Sequence, residues 1–497
     1  MLRKRSLSLI LLFSLLLTAA SCGGTETPVN DNSQTDAPDT TEEEAAYPYP
    51  TRDLGGRTFK VLNLDEQYGC YIRLDFEEQT GEALDDAVYN RNRRVEDRLN
   101  FRLEEVILSG GAAWSTGQIA ACDALIQSVM ADDDAYDAAY SPVFFKPAVV
   151  TDGYVVNLLD IPELHLYDEY WDAVVNTEMT VDGSLYTASG PLNFMALDLS
   201  WALLFNQDMM DDHKMEYPYQ LVRDGKWTLD KMNEYVEAAA NLNGDESFAI
   251  DADGKCVYGI AGHYTSPVAF WMAADVDLYE RGKNGSLSLT YGGERLHTAL
   301  EKIAKMCTTA DGKIYFNNDD LSNPIGYMSL FAADRALFLT CELKSAMQER
   351  AMESTFGLVP MPKLDESQER YRSLVTYTTE FLTIPKTQDK LSDAGLILDA
   401  LTYESWRDVL PVYYDITVSQ KGLRNAESIE MMQILRDSRS IDFTRVFPIA
   451  TDLGEALRTL VSDGTGDVSG AASVIESNKS AVEAELQKVL DAMKKNQ

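Results

Sequence analysis

Basic residues are scarce in this chain. Its 497 residues include 43 Lys and Arg against 80 Asp and Glu, a formal net charge of -37. A field of that sign repels phosphate backbones and anionic lipid surfaces, which argues against nucleic-acid binding. Histidine is nearly absent: His165, His213, His263 and His297 lie far apart, in no HExxH or HxH pattern. Cysteine is sparse too. Apart from Cys22, the five thiols Cys70, Cys122, Cys256, Cys307 and Cys341 are odd in number and contain no CxxC pair. No zinc site is expected from them, and at most one disulfide. GxSxG, GxxxxGK[ST] and GxGxxG are all missing, so a hydrolase elbow and nucleotide or dinucleotide loops are unsupported. Asp251-Ala252-Asp253-Gly254 is half of a calcium loop, but Ala249 stands where the first acidic ligand belongs and the terminal Glu is missing; turn chemistry explains it as well. No metal and no cofactor are expected. A carboxylate pair of glycosidase type leaves no signature in so acidic a sequence, so a secreted glycan-acting enzyme stays open as an alternative, as does a surface protein that binds glycan without transport.

Only one apolar run approaches membrane length, and it falls short. Arg3-Lys4-Arg5, the apolar stretch Leu7 to Leu17 and the small residues Thr18 to Ser21 read as a signal peptide over residues 1–21. Cys22-Gly23-Gly24 follows, and small residues leading to a Cys resemble a bacterial lipobox, although Ala19 replaces the usual Leu. That resemblance implies a lipidated Cys22 as mature N-terminus, anchored at the outer face of the cytoplasmic membrane. Residues 22–56 are rich in Thr, Asp, Glu and Pro and poor in large aliphatics, which predicts a disordered acidic tether.

What remains is long enough for two domains. Thr58 to Leu62, Phe101 to Ile107 and Tyr136 to Tyr140 read as strands; Leu84, Val88, Val95 and Leu99 share one helical face, and a second helix spans Ile119 to Met130. Strand–helix alternation predicts an α/β fold with a mainly parallel sheet. Trp201 to Asn206 is a further apolar strand. Thr228 caps the helix whose face holds Leu229, Met232, Val236 and Ala239. Trp171 and Trp227 read as core residues. The C-terminal third is helical.

The order of several motifs carries a resemblance. DAVYNRNRRVEDRLNFRLEEV, GYVVNLLDIPELHLYDEYWDAVVN, the strand with the Trp227-Thr228 helix start, FAADRALFLTCE and Phe356-Gly357-Leu358-Val359-Pro360-Met361-Pro362 resemble the extracellular solute-binding proteins that deliver sugars to ABC importers. The resemblance implies the periplasmic-binding-protein type II fold: two lobes, each a doubly wound, mainly parallel sheet, with a hinge and an interlobe cleft. Expected boundaries are 57–203 for the first part of lobe one, 204–358 for lobe two, 359–412 for the return and 413–497 for C-terminal helices mainly on lobe two. It implies a receptor rather than an enzyme, binding a carbohydrate, presenting it to ABC permease subunits, acting as a monomer and touching the membrane only through its lipid.

Sugar rings offer apolar faces and many hydroxyls, so a cleft wants aromatic platforms among polar side chains. Ligands of open α/β sheets gather at the carboxyl ends of strands. Expected cleft residues are therefore Gln67 and Tyr68 after the first strand, Tyr140 and Ser141 at the third, and Trp201 at the crossing. To these are added His263, Tyr264 and Trp271 in the second lobe, then Glu342, Tyr377 and Glu380.

Overall fold

The apolar runs of the sequence become the strands of two sheets. The structure, a computed structural model, describes residues 47–65, 67–109, 115–248, 252–283, 285–308, 312–317, 325–348, 352, 354–418 and 426–497. The first sheet is built from β1 (Arg57–Leu64), β2 (Phe101–Leu108), β3 (Ala138–Ser141) and a late arrival, Phe381–Thr383. β1 lies between β2 and β3, parallel to both, and the late strand closes the edge antiparallel to β3. Parallel strands need helical crossovers, here α1 (Ala83–Leu99) and α2 (Thr116–Ala131). α1 buries Leu84, Val88, Val95 and Leu99 and stops at Asn100, whose φ of 52° is the left-handed C-terminal conformation.

The second sheet takes β4 (Trp201–Asn206), β5 (Tyr258–His263), β6 (Ile314–Asn317), β7 (Ala336–Glu342) and β8 (Phe356–Pro360) in the order β8-β4-β7-β5-β6. β5 is parallel to β6 and β7, whereas β4 is antiparallel to both β7 and β8. The two-lobed α/β architecture is thus present, and two of this sheet's four pairings are antiparallel because β4, the strand by which the chain enters it, runs against the other four. At Gly357 of β8 a Cβ would collide with the Phe205 ring and the Tyr219 hydroxyl, so glycine is required there. α3 (Leu229–Ala239) packs on β5 and β7, and α4 (Ser266–Ala273) packs against α5 (Gly293–Met306).

The chain returns to the first sheet through the strand Phe381–Thr383, and α6 (Leu391–Glu404) then packs on α1. The later helices α7 (Ala426–Asp437) and α8 (Thr451–Ser462) pack on the second lobe, at β8 and at α4 and α5 respectively. α9 (Ala471–Lys495) touches both: it lies on α8, and its end reaches the first lobe, where Asn496 Nδ2 donates to the Val150 and Thr151 carbonyls at 2.9 and 3.2 Å.

By contacts the chain divides into Met1–Pro48 and one body, Tyr49–Gln497. Residues 1–21, Cys22 and most of the expected tether lie outside the described residues, as does Asp251. Residues 49–56, which composition assigns to the tether, belong to the folded body. Leu54 N donates to the Leu99 carbonyl, Gly56 N to that of Asn100, and Arg52 pairs with Asp393 at 2.8 Å. Composition over a long window hides these short-range partners. Cys70, Cys122 and Cys307 are thiols.

Trp227 is fully buried, and its indole donates to the Pro360 carbonyl at 3.0 Å. Thr228 caps α3 by accepting from Lys231 N at 3.2 Å, and Lys363 N and Leu229 N exchange hydrogen bonds with the backbone on either side. One aromatic thereby fixes the start of α3 against the segment that leaves β8. Trp227→Ala is expected to cost about 3–5 kcal/mol of stability, the cost of truncating a core aromatic. Urea denaturation checks it: the midpoint should fall with little change in slope.

Candidate ligand-binding cleft

The ends of β4, β5 and β7 in the second lobe face the loop after β1 and the return segment 374–378, and between them lies a cavity of about 620 Å³. That size is typical of small-molecule sites. Its floor is a chain of hydrogen bonds set by strand register. Trp201 opens β4 directly opposite Glu342, the last residue of β7. The Thr376 hydroxyl accepts from the Trp201 indole at 3.0 Å and donates to Glu342 Oε1 at 2.6 Å. Glu342 Oε2 pairs with the Lys344 ammonium at 3.1 Å, and Lys344 donates onward to the Tyr68 carbonyl at 2.8 Å. The ammonium also sits 5.4 Å from the centre of the Tyr68 ring. Burial is the largest influence and pulls the Lys344 pKa down, but the charge of Glu342 and its hydrogen bond, with Cys70 and Asp198, together hold the ammonium above its ordinary value.

The walls are aromatic. Tyr264 and Tyr377 are half-buried, and each carries an arginine over its ring: Arg458 at 4.9 Å and Arg445 at 4.7 Å. Both arginines share Glu455, at 2.8 Å for Arg458 and 3.9 Å for Arg445. His263 lies 4.4 Å from Tyr264 between ring centres and donates to or accepts from Thr265 Oγ1 at 2.7 Å. The lining therefore offers tyrosine rings, hydroxyls and charges already matched within the protein, a set suited to a neutral or weakly charged polyhydroxylated molecule.

Of the residues expected in the cleft, Tyr68, Trp201, His263, Tyr264, Glu342 and Tyr377 line this cavity. Five do not reach it. Tyr140 and Ser141 are buried because β3 is flanked on both sides, Ser141 Oγ being 2.9 Å from Thr383 Oγ1. Gln67 is buried and accepts from Gln118 at 2.5 Å. Trp271 sits in α4, a helix buried on every side, so its ring packs in the core rather than offering a platform. Glu380 lies behind the wall, 3% exposed, with neither carboxylate oxygen hydrogen-bonded among the described residues. Burial alone pushes its carboxyl up from 4.5 to about 8. Sequence reading missed Thr376, Lys344, Tyr327 and Arg445. Thr376 and Lys344 are next to or two residues from expected positions; Arg445, on a short helix in the C-terminal third, gave no signal.

No family model and no curated protein matches the chain. Among solved structures it is similar to a sugar transporter of Rhizobium etli in an open conformation, at 15% identity and TM-score 0.53, covering 88% of this chain and 99% of that one. It is similar to the maltose-binding periplasmic protein MalE of Listeria monocytogenes in complex with maltose, at 12% identity and TM-score 0.51, covering 89% and 99%. A cyclo/maltodextrin-binding protein complexed with maltotetraose is similar at 13% identity and TM-score 0.52, covering 88% and 96%. At such identities the likeness establishes the fold, that of the periplasmic binding proteins, and function must come from the site.

Glu380 makes a measurable prediction independent of any ligand. Its folded pKa exceeds the unfolded one, so the native state holds an extra proton between 4.5 and about 8. Stability from this group is therefore full at acid pH and is lost as pH rises through that window. Glu380→Gln cannot titrate, so its melting temperature relative to the parent should rise from mildly acidic to mildly alkaline buffer. An offset that does not change with pH would show that Glu380 ionises without cost.

Proposed function

We propose that the protein is a lipid-anchored extracellular solute receptor of an ABC importer, which binds a carbohydrate, an oligosaccharide by preference, between its lobes and presents it to the permease. The observation that carries this is the 620 Å³ cavity, walled by Tyr68, Trp201, Tyr264 and Tyr377 and shared by both lobes. Further support comes from the proteins of like fold, which include one in complex with maltose and one complexed with maltotetraose. A solute touching both lobes favours whichever arrangement brings them together, by the difference in its affinity for the two arrangements. Receptor and permease would then be coupled by shape alone. Among the described residues no helix is long and apolar enough to cross a membrane; anchoring rests on Cys22 and its small-residue approach.

A thermal-shift screen against neutral glycans of graded length tests the reading. A ligand at a hundred times its dissociation constant adds about 2.7 kcal/mol to stability. Turnover of a labelled glycan by the pure protein would instead indicate an enzyme. Tyr264→Ala and Tyr377→Ala should each weaken binding by roughly ten- to a hundredfold, since an aromatic contact is worth about 0.5–1.5 kcal/mol beyond its buried area. Their unliganded melting temperatures should move by only a few degrees, because both rings are half-buried. Isothermal titration and melting curves of the same samples separate the two effects.

Cys22→Ala should release the protein into the medium or leave an unprocessed precursor, because stable anchoring takes more than one acyl chain. Fractionation with acyl labelling checks this; retention and labelling in the variant would overturn the anchor.

A further inference from the structure

A carboxylate buried without a partner is costly, and proteins seldom keep one that has no use. Glu380 is such a group. It is 3% exposed, and neither of its oxygens finds a donor among the described residues. Its own segment connects it to the cleft, for Tyr377 and Thr378 line the cavity. The groups on which its charge bears include the phenols of Tyr68 and Tyr140 and the thiols of Cys70 and Cys122. Burial keeps all four protonated and neutral, the Cys122 thiol being pushed to about 12. None of these four can serve as a counter-ion. The cleft's own ammonium, Lys344, is committed to Glu342 and to the Tyr68 carbonyl.

Tyr68 links this carboxylate to the cavity. It lines the cavity, and Glu380 exerts on its phenol the largest charge effect there. Tyr68 holds a φ of 53°, followed by Gly69 at 72°. A left-handed conformation is unfavourable for a bulky aromatic, and such strain clusters at ligand clamps. The Tyr68 hydroxyl accepts from Gln118 Nε2 at 3.0 Å, and Gln118 Oε1 is itself buried and unpartnered. Two buried acceptor groups without donors among the described residues, Glu380 and Gln118 Oε1, thus bear on one strained tyrosine. An ammonium group brings three donors and a positive charge.

We propose that Glu380 is the specificity determinant for a solute bearing a protonated amine: displacement of Tyr68 admits the ammonium group of an amino-sugar unit to the Glu380 carboxylate, with Gln118 Oε1 as second acceptor. This rests on the carbohydrate-receptor reading and narrows it from neutral glycans to amine-bearing ones. Since the unliganded carboxyl is protonated below about 8, uptake of the ammonium expels its proton: Glu380-COOH becomes carboxylate, and the proton passes to buffer.

The test compares a glucosamine oligosaccharide with its N-acetylated and its all-hydroxyl counterparts of equal length, by titration calorimetry in mildly acidic buffers of different ionisation enthalpy. The amine-bearing sugar should bind at least tenfold more tightly and release close to one proton, whereas the neutral sugars release none. Glu380→Gln should lose both the preference and the proton while keeping affinity for the neutral sugars within threefold. Should that variant fail to fold, the comparison on the parent protein decides alone. Equal affinities for the three sugars, or a preference and proton release that survive Glu380→Gln, overturn this inference and leave the carbohydrate receptor standing. A Glu380-dependent stabilisation by a simple alkyl diamine, with no sugar bound, supports the ammonium site and overturns the carbohydrate reading. Binding of neither overturns both.

Discussion

The register of β4 against β7 is the constraint on which the cleft depends. All six side chains of β4 are buried, so its position in the sheet is fixed by packing on both faces. With Trp201 opposite Glu342, one threonine can join indole to carboxylate, and the carboxylate can hold Lys344 toward the loop after β1. A slip of one residue would turn every β4 side chain to the other face and set Cys341 in the place of Glu342. The other end of the strand is pinned too. Asn206 caps the following helix by accepting from Met209 N and donates to Asp334 at 2.7 Å. The connection between lobes and the floor of the cavity are therefore one piece of structure.

Much of the fold was legible because burial imposes a period. Leu84, Val88, Val95 and Leu99 mark α1, the apolar runs at Trp201 and Leu337 mark β4 and β7, and each follows from a simple hydrophobic rule. The antiparallel placement of β4 was not legible, since a fully buried strand reads the same in either direction. Site residues were legible where a strand end or an adjoining loop faces the cavity, as at Tyr68, Trp201 and Glu342. They were not where depth decides. Trp271 and Tyr140 belong to elements covered on all sides, and no sequence period records that second covering layer. Arg445 reaches Tyr377 across a separation in sequence that only the tertiary fold closes.

Charge is handled differently at the surface and at the cleft. The chain carries a large acidic excess, but around the cavity Glu342 is matched by Lys344 and Glu455 by two arginines. Matched charges inside a partly buried wall give orientation to hydroxyls without a strong net field. Glu380 is the exception to this matching: neither oxygen has a hydrogen-bond partner among the described residues, and burial pushes its carboxyl up to about 8.

The C-terminal helix α9 has a mechanical meaning. With 25 residues it is about 37 Å long at 1.5 Å per residue, and it runs from the second lobe to the first. Its far end is held by directional bonds: Asn496 to two carbonyls, and the Tyr186 hydroxyl to the Met493 carbonyl at 3.0 Å. Toward the second lobe it packs on α8 through side chains such as Ala471, and its Lys479 carbonyl accepts from the Tyr291 hydroxyl at 3.4 Å. The helix is thus a strut tied to both lobes, so any swing of one lobe against the other must break or bend one of its two attachments.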